Sequence, residues 1–330
     1  MTSKSTSNNV PRNFALIGAA GFVAPRHIQA IHETGNRLIA AADPHDSVGV
    51  LDSYFPNVRY FPEIERFDRH LEKLRRAGED QRAHYISICS PNYLHDAHVR
   101  LALRLGAHAV CEKPLVIEPW NLDYLARLEE ESATRVYTVL QLRVHDQLRA
   151  LKERLDAAPS VRRRKVQLTY VTARGPWYDV SWKGVEERSG GVAMNIGVHF
   201  FDLLIWLFGV PDKVEVHLRE KRRAAGFLAL KQADVTWFLS VDAADLSASV
   251  AGPAMGRTMV RSMNVDGETV DFTEGFQQLH SRVYRRILAG KGFGIEDARP
   301  SIALVHTLRE AAVRRPSADV HPLVERKMNR

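Results

Sequence analysis

A short apolar run, Asn13–Ile17, stops abruptly at Gly18, and a stretch of helical character continues through Ile31. A strand, a glycine turn and a helix start, in that order, leave few folds open. The glycine lets backbone approach a pyrophosphate, and the helix amino end carries partial positive charge. The turn is not a strict G-x-G-x-x-G: Gly18 and Gly21 are present, but Ala20 and Val23 stand where further glycines would, with Phe22 between them. The next apolar run, Arg37–Ala42, strengthens the reading because it ends on Asp43, at roughly the 20-residue distance used for ribose recognition. A carboxylate there accepts hydrogen bonds from the adenosine ribose and repels a 2′-phosphate. Pro44 and His45 supply no arginine to receive one, so NAD is expected rather than NADP. The alternative is an acidic strand end without a ligand.

The unit then repeats. His84–Cys89 reads as a buried strand ending at Ser90-Pro91-Asn92, a rigid turn that can lie along a nicotinamide ribose. A helix over 97–105 stops at Gly106, and the following run ends in Glu112-Lys113-Pro114. Proline cannot donate to a sheet ladder, so the chain leaves the sheet at Lys113 and presents it at a strand's carboxyl end. In open α/β sheets ligands bind at that edge. A lysine there can hold an oxyanion, pair with a phosphate or take part in proton transfer, and the plain alternative is a solvated Glu112–Lys113 pair. His95 and His98 have helical spacing but no third ligand, so no metal is expected. Helices over 61–77 and 121–131 and a strand over 135–140, closing on Gln141-Leu142-Arg143, complete an α/β domain with a parallel sheet.

Beyond it the character changes. Alternating runs over 166–171, 213–218, 233–241 and 258–265 describe an α+β domain with an open, mostly antiparallel sheet. Between the first two lies a second informative block. Gly190-Gly191 leads into Asn195, His199 and Asp202, whose spacings of four and three put them on one helix face. Buried polar groups on so apolar a helix need partners or a ligand.

With 45% hydrophobic and 26% charged residues the composition is that of a globular protein. Cys89 and Cys111 sit in apolar runs and read as reduced core residues of a cytoplasmic protein. No apolar run is long enough for a membrane span. The net charge of +7 favours anionic ligands, and the cluster Arg162–Lys165 lacks the interleaved aromatics of a nucleic-acid site.

The glycine turn with Asp43, Glu112-Lys113-Pro114, and Gly190-Gly191 leading to Asn195 and His199 resemble the glucose–fructose oxidoreductase/inositol dehydrogenase/MocA family. Residues 18–27, 177–184, 195–209 and 290–301 look closer still to its UDP-N-acetylglucosaminuronate 3-dehydrogenases, which serve lipopolysaccharide O-antigen synthesis. The polar opening reads as a disordered tail over 1–11, and the resemblance implies an NAD-binding Rossmann domain over 12–140 and a substrate and oligomerisation domain over 141–330. It implies Lys113 and His199 as the catalytic pair. Around NAD it places Gly18, Gly21, Phe22, Val23 and Asp43, the loop residues Ser90, Pro91, Asn92 and His95, and Glu112, Lys113, Gln141 and Trp182. Substrate contacts fall to Lys113, His199, Asn195, Arg143, Lys183 and Arg299. Many family members have aspartate where Asn195 stands, whereas the closer subgroup has asparagine. Some subgroup members regenerate NAD with 2-oxoglutarate, and a homodimer or homotetramer is expected. Two alternatives remain: a family dehydrogenase acting on a neutral sugar or inositol, expected if Arg143, Lys183 and Arg299 lie outside the pocket, and a non-catalytic NAD-binding regulator, expected if Lys113 and His199 lie far apart.

Overall fold

The computed structural model describes residues 10–159, 161–249, 258–270, 272, 275–316 and 319–328. Most of the expected tail over 1–11 lies outside the described residues. Six short strands, β1 (Asn13–Ile17), β2 (Arg37–Ala42), β3 (Arg59–Phe61), β4 (Tyr85–Ile88), β5 (His108–Cys111) and β6 (Val136–Thr138), form an all-parallel sheet. Their order is β3-β2-β1-β4-β5-β6, so strand order reverses between β1 and β4. That reversal opens a crevice at the strands' carboxyl ends. The strands are apolar on both faces because helices cover both sides: β1 is buried at every position.

The second sheet contains β7 (Arg164–Thr172), β8 (Pro211–Glu220), β9 (Arg223–Leu230), β10 (Ala233–Ser240), β11 (Met259–Val265) and β12 (Glu268–Val270). Its order is β12-β11-β7-β10-β9-β8, and every pairing is antiparallel except β7 with β10. The sheet is therefore mostly antiparallel, as expected, with one parallel pair. The parallel pair exists because the long connection from β7 to β8 crosses the sheet, carrying the apolar helix Val198–Phe208, before β9 and β10 fold back.

Two features depart from the expected organisation. The helix Leu279–Leu288 follows the second sheet in sequence but packs on the first domain, its Leu279, Val283 and Tyr284 burying against Phe14, Leu16 and Ile28. A division at residue 140 thus separates the sheets without separating the packing. The helical run Glu186–Phe208 has the length and composition of a membrane span, contrary to expectation, yet 72% of its apolar window is buried in the protein. It is the central helix of the second domain's core, where Phe200, Phe201 and Phe208 are fully enclosed.

Candidate active site

The crevice between the two sheets is a cleft of about 1170 Å³. That exceeds the roughly 300–1,000 Å³ of a single small-ligand pocket and leaves room for a dinucleotide beside a second molecule.

The nucleotide side is built mainly from backbone. Gly18 has φ of +88°, and a Cβ there would lie 2.5 Å from the carbonyl carbon of Cys89, so only glycine lets the loops after β1 and β4 meet. The turn leads into the helix Ala24–Glu33, whose proline in the first turn lacks the amide that would go unpaired there. Asp43 is buried at the end of β2, and its carboxylate accepts from the amides of Ala20 (3.0 Å) and His45 (2.9 Å). A carboxylate fixed against the glycine turn is the ribose acceptor expected for NAD, and the turn's close packing fits the pyrophosphate.

Asn92 and His95, expected at the cofactor, line the cleft but are also struts. Asn92 donates to the Ser189 carbonyl at 2.9 Å, tying the β4 loop to the second domain. His95 bridges the carbonyls of Ser90 and Pro114 at 2.8 and 2.6 Å, locking the β4 and β5 loops together. His98 bonds the Ser90 hydroxyl, and burial pushes its pKa down to about 4.

Glu112 and Lys113 diverge after β5. Glu112 turns inward, where its Oε1 accepts from Nε2 of both His27 (2.8 Å) and His280 (2.9 Å). Burial alone would raise the Glu112 pKa, but these two hydrogen bonds prevail and hold it well below the usual carboxylate range. The chain continues through His27 Nδ1 to the Tyr284 hydroxyl (2.7 Å) and from there to Ser87 (2.6 Å). His27, Glu112 and His280 form a buried cluster of possible metal ligands, but 2.8–2.9 Å nitrogen–oxygen contacts are hydrogen bonds, as a neutral histidine makes to a carboxylate.

Lys113 turns into the cleft, and its Nζ donates to the Asn195 carbonyl at 3.2 Å. Burial first, and then the positive charges of Lys183, Arg174 and Arg26, lower its pKa against the opposing pull of Glu112. Across from it His199 lies on the wall with its ring against Phe200 and Tyr170, and its buried Nδ1 has no hydrogen-bond partner among the described residues. Burial, together with the nearby Lys113 and Arg261, holds its pKa well below 6.5, so the ring is a neutral base at pH 7. Lys113 and His199 therefore face one space, as the catalytic reading requires and the regulator reading does not.

Asn195 belongs to a π-helical turn, Ala193–Gly197, that runs into the helix Val198–Phe208. Gly190, with φ of +78°, starts this segment where a Cβ would meet Met194. The widened turn aims Asn195 and His199 into the cleft, with Asn195 Nδ2 donating to the Tyr178 hydroxyl at 3.1 Å. Asp202 does not share that space: it is 2% exposed and binds Arg143 bidentately at 2.7 and 3.0 Å.

That pairing corrects one expected substrate contact. Arg143 is held between Asp202 and Asp297 behind the cleft wall, its cation paired with one buried and one part-exposed carboxylate. Arg299 is corrected too, because it lies on the surface and pairs with Glu296 and Asp123. The remaining expected residues line the cleft, from Gly18, Gly21, Phe22 and Val23 through Ser90 and Pro91 to Gln141, Trp182 and Lys183. Four more cations also line it that the sequence reading passed over: Arg26, Arg174, Arg188 and Arg261. Among the described residues none of these four, nor Lys113 or Lys183, pairs with a carboxylate. Their signal was faint, a charged residue interrupting an alternating strand (Arg261) or following one (Arg174).

Residues 12–140 match the family described as "Oxidoreductase family, NAD-binding Rossmann fold", and residues 160–239 match its "C-terminal alpha/beta domain". The chain is 49% identical to the WlbA (WbpB) dehydrogenase from Thermus thermophilus, covering 94% of this chain and 99% of that one. TM-scores are 0.89 for that protein's complex with NAD and alpha-ketoglutarate and 0.90 for its complex with NAD and UDP-GlcNAcA. It is 30% identical to the D-glucoside 3-dehydrogenase of Escherichia coli (strain K12) over 66% of this chain and 60% of that protein. It is 23% identical to the scyllo-inositol 2-dehydrogenase (NADP(+)) IolW of Bacillus subtilis (strain 168) over 51% and 45%. The chain spans about half the length of the curated relatives it matches. With both family domains present in order, and close identity over nearly the whole of a solved dehydrogenase, the chain belongs to the GFO/IDH/MocA oxidoreductase family and carries its NAD-binding Rossmann domain.

Proposed function

We propose that the protein oxidises the 3-hydroxyl of UDP-N-acetylglucosaminuronate to the 3-keto sugar nucleotide. The observation that carries this reading is the charge of the cleft: six cations line it without a carboxylate partner among the described residues. A neutral inositol gives no reason to gather them, whereas a diphosphate and a carboxylate on one substrate do. The identity to a dehydrogenase solved with NAD and UDP-GlcNAcA supports the same substrate.

NAD, when bound, supplies the hydride acceptor. His199, neutral at pH 7, takes the proton of the 3-hydroxyl as hydride leaves C3. Lys113 stabilises the oxyanion that develops on that oxygen, and the Asn195 carbonyl orients its ammonium. Arg174 and Lys183 serve the diphosphate. The expected substrate contacts at Arg143 and Arg299 are withdrawn, since both side chains are occupied elsewhere.

The finer parts of the reading are in-place reoxidation by 2-oxoglutarate, supported by the alpha-ketoglutarate complex of the Thermus protein, a homo-oligomer, and a role in surface-polysaccharide synthesis. Two free, buried cysteines suit a reducing cytoplasm. The test is to incubate purified protein with UDP-N-acetylglucosaminuronate and NAD, with and without 2-oxoglutarate. NADH absorbance and the mass of the sugar nucleotide are followed. Loss of two hydrogens from the sugar is expected; an unchanged sugar mass in both mixtures overturns the substrate.

A further inference from the structure

We infer that Arg261 recognises the substrate's sugar carboxylate and thereby selects an acidic over a neutral sugar nucleotide. This rests on the uronate reading above. Arg261 lies on β11 directly opposite Tyr170 on β7, and both face the cleft. Its guanidinium stacks over Phe276 with its carbon 4.0 Å from the ring centroid, and lies 5.6 and 6.0 Å from the rings of Tyr170 and Phe200. Tyr170 and Phe200 are the two rings that pack against His199. The cation is therefore anchored in the aromatic wall that holds the proposed base.

Its polar atoms are poorly served within the chain. Among the described residues Nη2 meets the Met259 sulfur at 3.5 Å, the neutral Tyr170 hydroxyl is the guanidinium's side-chain hydrogen-bond partner, and Nε is buried with no hydrogen-bond partner. Among the described residues no carboxylate pairs with it. A guanidinium so placed is partly desolvated and, among the described residues, has no anion beside it, and a planar carboxylate can take two of its N–H groups side by side.

The other cations of the cleft are placed differently. Arg26 is exposed at the start of the nucleotide-binding helix, Arg188 lies over Tyr93, and Lys183 lies 5.5 Å from the rings of both Trp177 and Trp182. In a uronate the carboxylate carbon is bonded to C5 of the ring whose C3 is oxidised. C5 is two ring bonds from C3, so an anion attached there lies within a side chain's reach of the group that handles the C3 hydroxyl, and beside His199 the cations are Lys113 and Arg261. Lys113 serves the oxyanion, which leaves Arg261 for the carboxylate.

The experiment compares NAD-loaded wild type with the Arg261→Gln, Arg261→Lys and Arg174→Gln variants. Affinity for UDP-N-acetylglucosaminuronate and for its neutral counterpart UDP-N-acetylglucosamine is measured by calorimetry, with turnover alongside. Wild type should prefer the uronate, and Arg261→Gln should lose on the order of a hundredfold of that preference while binding the neutral nucleotide as before. Arg174→Gln should weaken both nucleotides alike. If Arg261→Gln does not fold, judged by its melting temperature and NAD binding, Arg261→Lys decides, because it keeps the charge and loses the planar fork. Its expected result is a partial loss of preference. An undiminished preference in the folded variant overturns the inference and leaves the substrate reading standing. An Arg261-dependent preference without turnover overturns the substrate reading and leaves the inference standing. A wild type that binds both nucleotides equally, or neither, overturns the inference.

Discussion

The two walls of the cleft are made of different material. On the Rossmann side recognition is built from main chain and short polar turns: Gly18 against Cys89, the Ala20 amide on Asp43, and loops pinned by His95. On the side of the second sheet it is built from long side chains spread across β7, β11 and the connection that carries His199. A backbone site is specified by local sequence, because a residue such as Gly18 is required by its own φ and close contacts. A side-chain site is specified by register and by which cations have already found partners, and both depend on residues far away in sequence.

Arg143 provides the largest expected effect that sharpens this contrast. It is 10% exposed and balances Asp202, whose carboxyl burial still lifts to about 6. Replacing it as Arg143→Gln should destabilise the protein by about 3 kcal/mol, the lower end of what breaking a buried pair costs. The loss should grow as the pH rises above about 6. Without the guanidinium the folded pKa of Asp202 rises further above its unfolded value, so native protein binds a proton that must be given up as the pH rises. Chemical denaturation at several pH values measures this. A stable variant with raised KM for the sugar nucleotide would instead return Arg143 to the substrate site.

The second prediction joins the walls. Lys113 comes from the first domain and His199 from the second, and if they act on one hydroxyl their removal should not be additive. Lys113→Met and His199→Asn should each lower kcat/KM at least about a hundredfold with NAD affinity little changed, and the double variant should be scarcely worse than the poorer single one. Losses that multiply would mean that the two act independently.

Much of the first wall was legible in the sequence. The strand ends at Gly18, Asp43, Ser90 and Lys113 fall where apolar runs stop, and each stop is a local event. The three-residue β3 was not visible, since so short a run has no period of its own. The second wall was legible only where a motif marked it, at Asn195 and His199. Helical spacing added Asp202, but His199 faces the cleft while Asp202 turns to Arg143. Arg143 and Arg299 resembled substrate contacts by position, while Arg261 and Arg174 resembled ordinary strand and loop cations. Nothing local distinguishes a cation with a buried partner from one without.

A smaller effect tests the electrostatics of the pair directly. With its pKa held well below 6.5, His199 stays neutral as the medium is acidified through that value. The acid limb of kcat/KM should therefore fall below pH 6.5 rather than at it, and its midpoint should move upward in Arg261→Gln, where one of the two nearby cations is gone. An acid limb at or above 6.5 in wild type would show that the working base is more hydrated than His199 is here.

The smallest expected effect lies at Arg299, and its smallness is the point. The side chain is held at the surface by Glu296 (2.8 Å) and Asp123 (2.8 Å), partners that are themselves largely exposed. Exposed pairs of this kind contribute about 0–1 kcal/mol, and solvent screens the charge from a cleft it does not line. Arg299→Gln should leave KM for the sugar nucleotide unchanged and stability within about 0.5 kcal/mol of wild type. Arg143→Gln removes the same charge from a position equally remote from substrate, so the two variants differ only in burial and in the partners left behind. A raised KM in Arg299→Gln would mean that a surface cation reaches the substrate, and the division between the two walls would then fail at its outer edge.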